Sequence, residues 1–373
     1  MERNAVILTR NFTQQGFDVH CVFPASENSD VLLKWCRQQG VEAEAANAFL
    51  HYDQTHTLAA ARRLKSTLAA WRLNAVSLHY PESISLKDVL AVRLAGVHQC
   101  VATIHCVPGE NSPRHRQMTR LASQLLNAVV VRSHAVGQAL IAAGVPAKKI
   151  VYIAPGIQIP EDIPSQAAAR ARLGLSPDAF VIGTSARLVR EKGVDRLIEA
   201  VGSLPGKADG PHLLIVGDGP ERENIRMYAE AQLGGRARML GRLSGADLSD
   251  FYAALDGFAL TPLWQEAFGM VYLEAAQFGV PAVSWRGGGV AEVILDGETG
   301  LLVDSQDVAA VGQALARLRM DPMLRRQLGE QARARVSSEF SVDTMAEGYA
   351  RLLHLGPRIP RPQEDRAIAA TLR

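Results

Sequence analysis

Short runs rich in β-branched residues alternate with longer stretches of helical spacing along nearly the whole chain, and the pattern starts over once. Residues 18–23 (DVHCVF), 75–80 (AVSLHY), 99–106 (QCVATIHC) and 128–133 (AVVVRS) read as buried strands. Residues 29–40 and 55–71 between them carry helical spacing. The run KIVYIAPGIQIPEDIP, residues 149–164, then reads as a strand leading into a turn-rich segment, Pro155–Pro164, and the alternation resumes. Strand-like runs follow at 180–188, 212–219, 236–243, 257–262 and 281–286, each succeeded by a helical stretch. Apolar runs without polar alternation belong to parallel strands covered by helices on both faces. The chain is therefore predicted to be α/β, two domains of this kind joined by a hinge. A length of 373 residues suits two domains. Ligands of open α/β sheets bind beyond the carboxyl ends of the strands. In a two-domain chain that places the site in a cleft between the domains.

Composition removes several classes. With 47% hydrophobic and 21% charged residues the chain has the makeup of a globular protein. A net charge of +2 gives no basis for nucleic-acid binding. The four cysteines, Cys21, Cys36, Cys100 and Cys106, form no CxxC pair, so they read as small buried hydrophobes and not as a zinc site. No apolar run approaches the ~20 residues that span a bilayer, and nothing has the form of a signal peptide. A cytoplasmic protein is expected. Two segments are locally basic, Arg114–Arg120 and Arg170–Gly174. Each reads as a solvated face or as a contact with anionic lipid or a polyanion.

The stretch QEAFGMVYLEAAQFGVP, residues 265–281, is apolar yet keeps Glu266 and Glu274. Between Ala267 and Trp285 the sole formal charge is Glu274. A helix is expected from near Phe268 to about Phe278, with Gly279 and Pro281 closing it. Amides at Phe268, Gly269, Met270 and Val271 then face off the helix start, where anions bind readily. Gly269 permits close approach of a ligand. Glu266 lies just before that end. At about 100° per residue Glu274 falls beside Val271 and Phe278 on the inward face. A carboxylate there requires hydroxyl or cationic partners. A ribose is one source; an arginine across a structural interface, with Glu266 merely capping the helix, is the alternative.

Four other clusters carry chemistry. Arg187 and Lys192 follow the strand at 180–185 around a turn with Gly193, a pairing suited to a diphosphate, or else a solvated basic turn. Gly217 and Gly219 make a tight turn after a strand but lack the full dinucleotide fingerprint. His105 ends a buried strand, where a lone histidine is more often structural. Three glycines, 287–289, precede Glu292 and allow a backbone near a ligand, and the DGETG turn that follows is hairpin-like.

Taken together, EAFGMVYLEAAQFGVPAV, ARLVREKGVD, VGDGPE, GGVAEVILDGETGLLV and VVVRSHAVGQALIAAGVPAKKIVYIAPGI resemble the retaining glycosyltransferases of family 4, from about Glu2 to about residue 350. The most specific element is the pair Glu266 and Glu274. The resemblance implies the GT-B fold: two Rossmann-like domains with parallel sheets facing a cleft. Residues 1–158 would form the acceptor-side domain and 165–341 the donor-binding domain. A C-terminal helix, about 342–373, would pack back on the first. Arg187 and Lys192 would hold the donor diphosphate. Glu266 would orient the sugar and Glu274 the ribose. Backbone at Phe268, Gly269, Met270 and Val271 would touch sugar and phosphate. His105 would face the reacting sugar, and Gly241 with Arg242 would lie by the base. Implied, too, are a UDP- or GDP-sugar donor, a glycan or lipid-linked acceptor, no cofactor and no metal. The expected setting is polysaccharide or lipopolysaccharide biosynthesis, with peripheral contact at the cytoplasmic membrane.

Three positions depart from the family pattern. Ala186 and Ala267 stand where glycine is usual. Residues 2–23 resemble the family's first helix running into its second strand, so the N-terminal domain is expected to lack its first strand and the glycine-rich loop after it. That departure supports an alternative: an inactive or accessory homologue that binds nucleotide sugar, for example a partner subunit. A phosphorylase or epimerase on the same architecture is a third reading. A dehydrogenase lacks its fingerprint here, and no two-carboxylate glycosidase arrangement is read. The Pro- and Arg-rich tail from Gly356 reads as a mobile segment or an oligomer contact.

Overall fold

A computed structural model describes residues 2–24, 29–46, 58–109, 113–160, 162–206, 210–304 and 306–355. The first half runs α1 (Glu2–Gln14), β1 (Cys21–Pro24), α2 (Ser29–Gln38), β2 (Ala43–Ala46), α3 (Leu58–Trp71), β3 (Ala75–Tyr80), α4 (Leu86–Leu94), β4 (Gln99–Ile104), α5 (Pro113–Leu125), β5 (Ala128–Val131), α6 (His134–Ala142) and β6 (Ile150–Tyr152). The second runs α7 (Gln166–Leu173), β7 (Val181–Ser185), α8 (Val194–Gly202), β8 (His212–Val216), α9 (Arg222–Leu233), β9 (Ala237–Gly241), α10 (Gly245–Ala253), β10 (Gly257–Leu260), α11 (Met270–Gln277), β11 (Ala282–Trp285), α12 (Val290–Val293), β12 (Gly300–Val303), α13 (Val308–Met320), α14 (Pro322–Glu339) and α15 (Val342–Leu352). Two compact units result. One comprises Met1–Arg132, Gly137–Gly156 and Val342–Arg373; the other Ser133–Val136 and Ile157–Ser341.

In the second unit six parallel strands pair in the order β12-β11-β10-β7-β8-β9. β7, β8 and β10 are almost wholly buried, as their unbroken apolar runs require. On one face α8, α9 and α13 bury Leu197, Ile198, Val201, Leu213, Ile215, Leu315 and Leu318 against the sheet. On the other, the rings of Phe251, Tyr252, Phe258, Tyr272 and Phe278 pack edge to face and in offset stacks. Helix ends follow local rules. Ser165 accepts from the Ala168 amide and Asp307 from that of Ala310, while Gly174 closes α7 in the left-handed conformation. The DGETG turn leads β12 into parallel pairing with β11, so it is not a β-hairpin.

In the basic segment Arg170–Gly174 the reading as a surface face fails for Arg170, while Arg172 stays exposed. Arg170 is buried, donates to Asp256 at 2.6 Å and to the Ala254 carbonyl, and Asp256 also meets Arg325 at 3.5 Å. Arg172 binds Asp250 through two nitrogens. These arginines tie α7 to α10 and the strand that follows it, and removing one partner would strand a buried charge.

In the first unit the described strands make two sheets, β1-β2 and β3-β4-β5-β6, all parallel. Among the described residues β1 and β3 are each paired on one side only. The two sheets are separate among the described residues. α1 spans the break. Val6 joins Cys21, Phe23, Cys36 and Val41, while Leu8 and Phe12 join Val130, Ile153, Met345 and Tyr349. The last two come from α15, which lies on α1 and on the sheet; the expected C-terminal helix is thus Val342–Leu352, and residues beyond 355 lie outside the described ones. None of the four cysteines is in a disulfide, and Cys21, Cys36 and Cys100 are buried.

Candidate functional site

The strand order of the second unit reverses between β7 and β10. At such a switch point the loops leaving two adjacent strands diverge and open a crevice. Here those loops are 186–193, after β7, and 261–269, after β10.

They are locked backbone to backbone. Gly193 has φ of 60°, and a Cβ there would lie 1.9 Å from the Thr261 carbonyl oxygen. Thr261 Oγ1 donates to the Gly193 carbonyl at 2.7 Å, and the Leu263 amide to Glu191 at 2.8 Å. This contact brings Lys192 Nζ within 2.5 Å of Glu266 Oε2 and 5.3 Å above the Trp264 ring, which is half exposed. A cation, a carboxylate and an aromatic face thus meet at the switch point, although Lys192 and Glu266 are far apart in the chain.

The neighbouring turns press in similarly. A Cβ on Gly217 would meet the Ala186 carbonyl at 1.8 Å, and one on Gly219 the Leu188 carbonyl at 2.3 Å. The Leu188 amide donates to the Asp218 carbonyl at 2.9 Å and the Gly217 amide to Gly241 at 2.7 Å. The backbone flanking Arg187 is therefore fixed while its side chain is exposed. Gly241 has φ of 69° with open space around it, and the Arg242 side chain is 83% exposed, 3.8 Å from Asp218. On the other side, of the three glycines before Glu292, Gly288 and Gly289 meet protein while Gly287 has open space. The Gly289 amide donates to the Glu266 carbonyl at 2.8 Å, and added Cβ atoms on Gly288 and Gly289 would strike the Glu266 and Ala267 carbonyls at 2.2 Å.

α11 starts at Met270, two residues later than expected, with Gly269 as its N-cap at φ 91°. Phe268 is buried edge-on against Phe340, so its side chain serves the core. The amides at the helix start are those of Met270 and Val271. Glu274 is 8% exposed, and its Oε2 accepts from the Tyr252 hydroxyl at 2.7 Å. The partner that the sequence left open includes a hydroxyl of the protein itself. Nothing in the spacing marks Tyr252, which sits on α10.

His105, in the first unit, is 6% exposed at the end of β4. Its Nε2 lies 3.0 Å from His79 Nδ1 and its Nδ1 3.1 Å from Arg132 Nη1. Burial, followed by the His79 and Arg132 charges, holds its pKa well below the ordinary histidine value. Sequence reading singled out His105 and passed over His79 and Arg132. The parallel register that sets His79 beside Thr103 is the signal that links them.

Comparison with known proteins extends these observations. The glycosyl transferases group 1 model matches residues 165–335, and the glycosyltransferase family 4 model residues 1–159. A GDP-mannose-dependent monoacylated alpha-(1-6)-phosphatidylinositol monomannoside mannosyltransferase of Corynebacterium glutamicum is 35% identical over 205 residues, 53% of this chain and 52% of that one. The match thus spans about half of that relative's length. A GDP-mannose-dependent alpha-(1-6)-phosphatidylinositol monomannoside mannosyltransferase of Mycobacterium tuberculosis is 30% identical over 275 residues, 70% of this chain and 71% of that one. The crystal structure of Anabaena Alr3699/HepE in complex with UDP and glucose superposes with a TM-score of 0.77 at 23% identity, covering 95% of both chains. That likeness carries the fold, two Rossmann-like α/β units of the GT-B kind.

Proposed function

The chain belongs to the family 4 glycosyltransferases, within the glycosyl transferases of group 1, and on that premise we propose that it moves a sugar from a nucleotide-diphosphate sugar to a glycan or lipid-linked acceptor, with retention of anomeric configuration. The observation that carries the proposal is the Lys192–Glu266 pair beside Trp264 at the switch point of the second sheet. A diphosphate leaving group gains negative charge as the glycosidic bond breaks. Lys192 and Arg187, on one loop, supply compensating positive charge without reorganisation. The N-terminal end of α11, through Met270 and Val271, adds its dipole. Glu266 accepts from donor-sugar hydroxyls and sets the ring's orientation. Glu274, oriented by Tyr252, accepts from the ribose. Gly241 leaves room for the base, with Arg242 at its margin. His105 contacts the reacting sugar. The donor's own phosphate assists deprotonation of the acceptor, so no metal enters a step.

GDP-mannose and phosphatidylinositol mannosides in the names of the relatives favour a sugar donor and a lipid-borne acceptor. Contact with an anionic membrane surface fits the exposed Arg114, Arg116, Arg120, Leu121 and Leu125 of α5. No helix among the described residues is long and apolar enough to cross a membrane.

The deciding experiment screens UDP, GDP and their sugars for thermal stabilisation, then for transfer. A ligand at 100 times its Kd adds about 2.7 kcal/mol to folded-state stability. No shift with any nucleotide would remove the donor site. The separation of β1-β2 from the other sheet favours a second reading, nucleotide-sugar binding without transfer, and stabilisation without turnover would select it.

A further inference from the structure

One ion pair at the switch point ties together the cation and the carboxylate that the proposed function assigns to different parts of the donor. Lys192 Nζ lies 2.5 Å from Glu266 Oε2, and the two side chains are 17% and 16% exposed. The Trp264 ring, centred 5.3 Å from the same ammonium, closes a further side. Neither backbone can follow its side chain away. Lys192 precedes Gly193, whose carbonyl accepts from Thr261 Oγ1 at 2.7 Å and which has no room for a Cβ against the Thr261 oxygen. The Glu266 carbonyl accepts from the Gly289 amide at 2.8 Å, and Gly288 is pressed against it. The pair therefore opens only by rotation within the flexible lysine stem or the glutamate side chain.

A diphosphate draws on that same ammonium. Its oxygens accept hydrogen bonds, and so do those of a carboxylate, so each needs the lysine and neither can serve the other. If Lys192 turns to the diphosphate, Glu266 loses its counter-ion while staying mostly out of water, which costs free energy. If Lys192 bridges both, the carboxylate is held one ammonium away from a phosphate oxygen, and like charges at that spacing repel. In either geometry Glu266 weakens the binding of a bare diphosphate. A sugar on the diphosphate reverses the sign. Its hydroxyls donate to the carboxylate that Lys192 has given up.

We propose that Glu266 is a displaceable counter-ion of Lys192, through which the site discriminates against the sugar-free nucleoside diphosphate, the product left after transfer, in favour of the sugar-bearing donor. The inference rests on Lys192 receiving the diphosphate and Glu266 the sugar, as in the proposed function. It adds a second duty for Glu266. Once the sugar has left, the carboxylate reclaims Lys192 and speeds release of the nucleotide.

The test is calorimetric titration of the full chain with GDP and UDP and with their sugars. Glu266→Gln keeps the size of the side chain and removes its charge. It should tighten the sugar-free diphosphate about fivefold and leave the sugar nucleotide no tighter than in the wild-type chain. In a Lys192→Met background the same substitution should change the diphosphate Kd by less than about twofold, because the pair is already gone. An unchanged Kd for the sugar-free diphosphate overturns the proposal. Equal tightening of both ligands overturns it as well, as does full tightening in the Lys192→Met background. Should the glutamine variant fail to fold, Glu266→Ala carries the same comparison. Wild-type binding of the diphosphate with no response to Glu266→Gln removes the exchange and leaves the proposed function standing. Binding of no nucleotide by either chain removes the donor site and the exchange together.

Discussion

The two units solve one architectural problem differently. Both stack helices on parallel strands, but among the described residues the second carries one six-stranded sheet and the first a four-stranded sheet and a separate pair. In the second, polar chemistry gathers on loops beyond the strand ends, fixed by glycines pressed against neighbouring carbonyls. In the first, it lies in the packed interior, where His79, His105 and Arg132 are hydrogen-bonded beneath α1 and α15. Rigidity comes from backbone contact in one and from a hydrogen-bonded chain of side chains in the other. The difference predicts which insults each unit tolerates.

The largest effect is expected from Gly193→Ala. A Cβ 1.9 Å from the Thr261 oxygen, on a backbone at positive φ, forces the two switch-point loops apart. A loss of about 3–4 kcal/mol should appear in denaturant unfolding of the second unit. A variant within about 0.5 kcal/mol of wild type would mean that the interlock holds nothing.

Acid should act on the first unit. His79 and His105 have folded-state pKa values below the unfolded value of 6.5, so the native state excludes protons that the unfolded chain takes up. Their contribution is whole above pH 6.5 and is lost as pH falls towards about 4, the folded value of His79. For His79 alone the loss reaches about 3 kcal/mol. In the second unit His212 is lowered in the same direction but is only partly buried. Hydrogen exchange at pH 5 should open the first unit before the second. The reverse order would break the comparison.

Lys192→Ala should separate activity from stability. Its pair with Glu266 is partly solvated, which limits the stability change to about 1 kcal/mol. Transfer should fall about 100-fold. Equal losses in melting and in turnover would make the pair structural. The smallest effect is expected from Arg242→Ala. This exposed side chain should alter donor KM by less than about threefold and leave kcat unchanged. A large loss there would move the centre of donor binding towards β9.

The fold was largely legible because buried parallel strands announce themselves as apolar runs. AVSLHY was read as residues 75–80, and β3 is Ala75–Tyr80. β2, Ala43–Ala46, was missed because its AEAA sequence has little strand character. β12 was missed, since its first residue, Gly300, also closes the DGETG turn. At the candidate site the residue types were legible and their partners were not. Lys192 and Glu266 meet only because the strand order reverses between β7 and β10, a property of topology and not of spacing. Tyr252 lies on a different helix from Glu274. Gly288 and Gly289 were read with Gly287 as room for a ligand, because a glycine needed by the protein's own backbone looks the same in sequence as one left open. Arg170 was read as surface because a buried arginine is rare, and its partner Asp256 lies on the far side of β7, β8 and β9 in the chain.

The return of α15 onto the first unit has a consequence in time. On the ribosome, residues 157–341 emerge as one uninterrupted block and can close their core as soon as they are made. The first unit emerges earlier yet cannot finish, because Met345 and Tyr349 complete the cluster around Leu8, Phe12, Val130 and Ile153. At ordinary elongation rates that face stays uncovered for about ten to forty seconds. The half made first is thus the half that folds last, and its apolar sheet face is the surface that a nascent-chain chaperone would find.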